Sequence, residues 1–386
     1  MTTPIQNKKI AIIGGGPGGL TLARLLQMNC ADVKVYERDE NRDVRVQGAT
    51  LDLHYDSGLK ALSAAGLMDA FKANYRPGAD RMSVTDKNAN VCFEDTFEAK
   101  GDNELARPEI DRGPLRYILL DSLRPGTVAW DSNFVSMSAK GDGWLIDFKA
   151  KASVYADIVI GADGANSRIR PYVTQIKPFY AGVTALEGAV YNSEVNSPNI
   201  HRLLKGGKIF AIGDEKCLFV SSKGDGSLAF YTSCNTEEHW VRDCGIDFSD
   251  RTQTLKWFKQ EFSEWDSIWD ELFENSVNGL IPRPQYCQPP DQSWDVLPNL
   301  TLLGDAAHLM PPYAGEGVNM AMLDALELSE CLLNSTFRDS LPAITAYEQE
   351  MRARVSEVAI ITMEQTAVLH SPDALDHLLR MFRTNV

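Results

Sequence analysis

The apolar positions of this chain fall into two patterns. Short apolar runs at residues 9–13, 158–161 and 300–303 read as buried strands, with 32–36 as a fourth, and Leu20, Ala23 and Leu26 mark a helix between the first two in the chain. Leucines at 59, 62 and 67 give a helix over 57–71 that Gly66 interrupts, and Leu115, Ile118, Leu119 and Leu123 give another over 108–123. Residues 176–279 look different. Brief β-like runs at 185–191, 208–212, 217–221 and 227–233 are separated by glycine turns such as Lys223-Gly224-Asp225-Gly226, as in an antiparallel sheet. A helix over 249–273, with Trp257, Phe258, Phe262, Trp265 and Trp269, closes that region. In the tail, Ile344, Tyr347, Met351, Val355, Val358 and Thr362 recur at spacings of three and four, which predicts one long helix over 341–369. The pattern gives an α/β fold in three parts: a discontinuous domain (1–175 and 280–335), an inserted antiparallel-sheet domain (176–279), and a C-terminal segment (336–386) whose helix bridges the two.

Chemistry collects where the buried strands end, the place at which open α/β sheets bind ligands. The first strand runs into Gly14-Gly15-Gly16-Pro17-Gly18-Gly19 and then a helix. This is GxGxxG in its proper context, with Gly14 for the tight turn, Gly16 for close approach of a pyrophosphate and Gly19 for packing helix on strand. The second strand ends at Glu37, placed to accept from a ribose, while Arg38 next to it either covers an adenine or is simply solvated. Both FAD and NAD fit at this point. The strand at 158–161 delivers Asp163-Gly164, and the strand at 300–303 delivers Gly304-Asp305. After Pro311 and Pro312 the segment Gly315-Glu316-Gly317-Val318-Asn319 opens a helix, so free backbone N–H groups face whatever Asp305 holds. A carboxylate for sugar hydroxyls beside a helix start for an anionic ring predicts a flavin.

Three further groups are open to two readings. Asp52 and Arg45, around Gly48, suit a flavin and a phosphate but equally a capped, solvated loop. Arg112 suits diphosphate or ribityl oxygens but equally the surface. Phe210, Phe219, Phe230 and Tyr231 line a pocket or belong to the core of a half-buried sheet. His308, one turn from a tight loop, reads as structural.

At 386 residues and 44% hydrophobic content, the chain can form a large core plus a smaller one. Its net charge of -15 argues against nucleic acid and anionic membranes as partners. Seven scattered cysteines with no CxxC pair predict free thiols in a reducing compartment and no metal site. A polar N-terminus and the lack of an apolar run of ~18 residues predict a cytoplasmic protein. Internal use of the tail predicts a monomer.

With GxGxxG plus Glu37, then Asp163-Gly164, then Gly304-Asp305-Ala306-Ala307-His308, in this order, the chain resembles the class A FAD-dependent aromatic hydroxylases, the p-hydroxybenzoate hydroxylase-like monooxygenases. Tyr36-Glu37-Arg38-Asp39, Thr50-Leu51-Asp52-Leu53-His54 and the stretch from Gly304 through Pro312, Tyr313 and Asn319 look closest to the tetracycline-inactivating members. The resemblance implies a Rossmann-like FAD-binding domain of the glutathione reductase type carrying a substrate sheet. It also implies that Glu37 binds the adenosine ribose, Arg38 lies along the adenine, Arg112 and Asp52 contact FAD, Asp305 holds the ribityl chain and Arg45 helps place NADPH. The single GxGxxG is taken by FAD, so NADPH docks transiently.

On the substrate side the resemblance breaks down. Where the tetracycline enzymes carry a glutamine, an arginine and a histidine, an ungapped register puts Glu187, Lys208 and Phe230; only the aromatic after the prolines, Tyr313, is retained. The implied reaction is NADPH- and O2-dependent hydroxylation of an electron-rich phenol or enol, tetracycline or another aromatic or polyketide metabolite. Rival readings are a flavin halogenase, whose Trp-x-Trp-x-Ile-Pro segment is missing, and a flavoprotein that inserts no oxygen.

Overall fold

The computed structural model describes residues 3–44, 48–95 and 108–384. Five parallel strands form a central sheet in the order Leu300–Leu302, Ile158–Gly161, Lys9–Ile13, Asp32–Tyr36, Val128–Ala129. Ile10 pairs with Ile158 on one side and Val33 on the other. The two central strands are apolar almost throughout because both faces of the sheet are covered. The helix Pro17–Met28 covers one face together with the helix Gly317–Leu333. On the other lies a three-stranded antiparallel sheet (Phe134–Lys140, Gly143–Phe148, Val154–Ala156), whose Phe148 stacks on Tyr36 with centroids 4.8 Å apart.

A second sheet has seven strands in the order Ile281–Cys287, Phe179–Val190, Leu228–Asn235, Lys216–Ser222, Lys208–Gly213, Met82–Asp86, Val91–Glu94. It reaches beyond the expected 176–279 at both edges. The returning segment with Pro282 and Pro284 pairs along Thr184 to Glu187 instead of joining the parallel sheet, because a proline-rich strand with few N–H donors is tolerated at a sheet edge. The residues 82–94 add the opposite edge, with Met82–Asp86 running parallel to Lys208–Gly213.

The sheet's two faces differ. One is packed by Phe258, Trp269, Leu272 and Phe273 from short helices. These helices correct the single helix expected over 249–273: Asp250 caps Arg251–Glu261 and Asp266 caps a new turn at Ser267–Trp269, so two aspartates divide the segment. The other face looks toward the parallel-sheet half. Between the halves runs the helix Ser340–Leu369, about 45 Å long at 1.5 Å per residue. Tyr347 Oη donates to the Leu302 carbonyl at 2.9 Å near its start, and Cys217 Sγ donates to the Leu369 carbonyl at 3.0 Å at its end. A further helix, Ala374–Thr384, follows and packs Leu378 beside Val84 and Ile212. No described helix is long and apolar enough to cross a membrane.

Candidate active site

The glycine turn shows three distinct local demands. Gly14 has φ +112°, and a Cβ there would lie 2.2 Å from the Ala162 carbonyl oxygen. At Gly19 a Cβ would lie 2.2 Å from the Gly14 oxygen, so the helix reaches the strand only because the side chain is missing. Gly16 is different: its backbone is ordinary (φ -78°, ψ 177°) and a Cβ would meet nothing within 4 Å. No packing requires glycine at that position. The helix start there is open and offers free N–H groups, a shape able to cradle an anion. Glu37 is buried at the rim, accepting from Gly15 N–H at 2.6 Å and Asp39 N–H at 3.0 Å. Arg38 is exposed and makes no hydrogen bond or ion pair among the described residues. Arg45 lies outside the described residues.

At the other strand end, Gly304 takes φ +58° and turns the chain into Asp305. The Asp305 carboxylate accepts no hydrogen bond from a described residue, and burial pushes its pKa above the ordinary value. A Cβ at Gly317 would lie 3.9 Å from its Oδ1, so the carboxylate stands beside the start of Gly317–Leu333. The first N–H groups of that helix have no partner within the helix. A half-buried acceptor thus stands beside a row of donors.

The turn is held from behind by residues whose role the sequence did not show. Asp324 is fully buried and accepts from Gly304 N–H at 2.8 Å and from His308 Nε2 at 2.6 Å, and its second oxygen pairs with Arg354. Burial alone would raise this carboxyl, but His308 and Arg354 outweigh it and hold the group ionised below its usual range. His308 is thus buried and held against Asp324. Arg170, also buried, donates to the Ala306 and Ala307 carbonyls at 3.2 and 2.8 Å. Asp163 serves the local chain: it accepts from Ser167 Oγ at 2.6 Å and Arg168 N–H at 2.7 Å, tying down the loop after its strand.

Arg112 begins its helix, exposed, with its Cδ 2.6 Å from where a Cβ of Gly48 would be. The Asn319 side chain is fully buried and committed to its neighbours, accepting from His54 N–H at 2.9 Å and donating to the Asp52 carbonyl at 3.0 Å. What Asn319 can offer a ligand is its backbone N–H, together with those of Gly317 and Val318.

The inward face of the seven-stranded sheet carries one row across six strands: Val84, Phe210, Phe219, Tyr231, Glu187 and Ile281 are successive partners. Phe210 and Phe219 have centroids 4.9 Å apart, and Tyr231 Oη accepts from Ala49 N–H at 3.1 Å. Phe230 is not in this row. It is fully buried on the opposite face against Phe273, with centroids 5.3 Å apart, its ring filling the space over Gly188. Successive residues of a strand point to opposite faces, so an ungapped register that is off by one selects Phe230 where the strand presents Tyr231. Glu187 pairs with Arg283 at 2.9 Å and Lys208 pairs with the buried Glu109, so neither is a free polar group. Tyr313 packs edge-on against His370 at 5.1 Å with its hydroxyl buried, and Pro312 beside it is exposed.

Set against known proteins, residues 7–360 match the model of the family described as FAD binding domain. Monooxygenase asqM of Emericella nidulans is 28% identical over 95% of this chain and 97% of its own length. Klebsiella pneumoniae HpxO, solved with FAD and uric acid, superposes with a TM-score of 0.79 at 22% identity, covering 99% of this chain and 94% of that one. The tetracycline destructase Tet(51) gives a TM-score of 0.74 at 16% identity over 98% of this chain and 96% of that one.

Proposed function

This chain belongs to the FAD-binding-domain family of flavin monooxygenases, and on that premise we propose that it hydroxylates an electron-rich phenol or enol at the expense of NADPH and O2. The observation that carries the reading is the Asp305 carboxylate, unpartnered among the described residues, beside the open helix start at Gly317. Those groups fit FAD: Gly16 and its helix for the diphosphate, Glu37 for the adenosine ribose, Asp305 for the ribityl hydroxyls, and the backbone N–H groups at Gly317, Val318 and Asn319 for the electron-rich edge of the ring. Bound FAD supplies hydride acceptance and oxygen activation. The protein's own share is to hold the ring, orient the substrate and exclude water. Arg112 and Asp52 flank the ring end, and NADPH visits without a dinucleotide fold of its own.

The substrate lies on this reading against the row Phe210, Phe219 and Tyr231, with Pro312 and Tyr313 at its edge. Rings dominate that row and its charges are already paired, so it suits a flat aromatic or polyketide metabolite better than the oxygen-rich face of tetracycline, whose polar groups would be left without partners. The test is a screen of NADPH oxidation against phenolic acids, aromatic polyketides and tetracyclines, with mass spectrometry of the product. A gain of one oxygen supports hydroxylation. Substrate-stimulated NADPH oxidation that returns the compound unchanged sinks it in favour of an oxidase-like flavoprotein.

A further inference from the structure

His54 lies between two carboxylates. Its Nε2 is 3.4 Å from Asp52 Oδ2 and its Nδ1 is 3.3 Å from Glu316 Oε1. A neutral imidazole carries one N–H and could donate to only one of them, leaving a lone pair against the other carboxylate; the imidazolium donates to both. The backbone keeps the ring in place, because His54 N–H donates to Asn319 Oδ1 while Asn319 Nδ2 holds the Asp52 carbonyl.

The position of the two acids gives this charge a use. Glu316 immediately precedes the helix Gly317–Leu333, and Asp52 Oδ1 is 3.7 Å from where a Cβ of Gly315 would be. Two negative charges therefore flank the helix start whose positive end is proposed above to face the flavin ring, and they oppose it. We propose that His54 is a positioning residue for charge: by neutralising one of these two carboxylates it raises the reduction potential of the bound flavin. The proposal rests on the reading of Gly317, Val318 and Asn319 as the ring end of the site. Reduction adds negative charge to the ring, so each uncompensated anion nearby favours the oxidised form. The hydrogen bonds to Asp52 and then Glu316 push the His54 pKa up to about 10, so the cation persists at neutral pH.

The experiment is a dye-linked redox titration of the FAD-loaded protein and variants. Replacing the cation, His54→Gln, shifts the equilibrium toward oxidised flavin about tenfold, about 30 mV for a two-electron couple, while His54→Lys stays near the wild type. Glu316→Gln shifts the potential upward. The double variant His54→Gln/Glu316→Gln restores the original net charge and returns toward the wild-type potential, which a purely structural role for His54 would not do. FAD-bound His54→Gln at the wild-type potential, or a double variant as low as the single one, overturns the proposal. Should His54→Gln lose its flavin, Glu316→Gln decides: a raised potential supports the proposal and an unchanged one overturns it. A wild-type protein that binds no FAD overturns the flavin reading and this proposal with it, whereas FAD-loaded protein with unshifted potentials overturns the proposal alone.

Discussion

The two sheets place their functional groups by different physics. At the parallel sheet the groups proposed to hold the cofactor are mostly backbone: N–H groups at two helix starts, beside the glycines at 16 and 317, with Glu37 and Asp305 added at strand ends. A glycine's demand for positive φ or close approach is written in the residue itself, so this half can be read from sequence spacing. At the seven-stranded sheet the groups are side chains, and strand register decides whether Phe230 or Tyr231 faces inward. Register is a tertiary property: one residue of error inverts every side chain.

The comparison can be broken most severely at Phe230. Truncation to alanine opens a cavity among Phe258, Phe273 and Leu280, and should cost about 3–5 kcal/mol in denaturant unfolding. If instead Phe230→Ala keeps its stability and loses turnover, the face assignment is wrong. Next comes Gly19→Ala, whose Cβ would strike the Gly14 carbonyl oxygen; a loss of about 1–3 kcal/mol or more in stability is expected, as for other overpacked sites. Tyr231→Phe removes only the acceptor for Ala49 N–H, worth about 0.5–1.5 kcal/mol. Its effect should show in KM for the aromatic substrate more than in unfolding. Gly16→Ala sharpens the contrast with Gly19→Ala: stability should stay within about 0.5 kcal/mol, while a flavin titration shows weakened FAD binding. Equal unfolding effects at the two glycines would refute their separate roles.

The smallest expected effect is pH dependence from His54. Its folded pKa of about 10 lies above the ordinary 6.5, so its stabilising contribution is complete below the lower value and disappears as pH rises from 6.5 through about 10. Urea midpoints for the wild type should fall across that window relative to His54→Gln. The side chain is 36% exposed, so solvent screening keeps the slope shallow. Parallel pH profiles would show that the ring is not held as a cation.

Much of the parallel half was legible. The strands at 9–13, 32–36 and 158–161 fall where the apolar pattern puts them. Residues acting from behind the site were not. Asp324 is one acid in the middle of a helix, and only folding brings it beneath Gly304 and His308. The edge strand at Ile281–Cys287 falls inside the stretch 280–335 that sequence spacing gives to the parallel-sheet domain, yet its prolines suit a sheet edge. His54 and Glu316 are 262 positions apart, and nothing local links them. Arg283, which pairs with Glu187 across neighbouring strands, was hidden for the same reason.

The proposed placement of the flavin depends most directly on the Asp305 carboxylate. Asp305→Ala, purified and titrated with FAD, should remain folded, because no described residue relies on that side chain for a hydrogen bond. It should bind FAD about ten- to a hundredfold more weakly, the value of one charged hydrogen-bonding group of about 1.5–3 kcal/mol. A variant that stays yellow with wild-type affinity would contradict the placement of the flavin and the reading built on it.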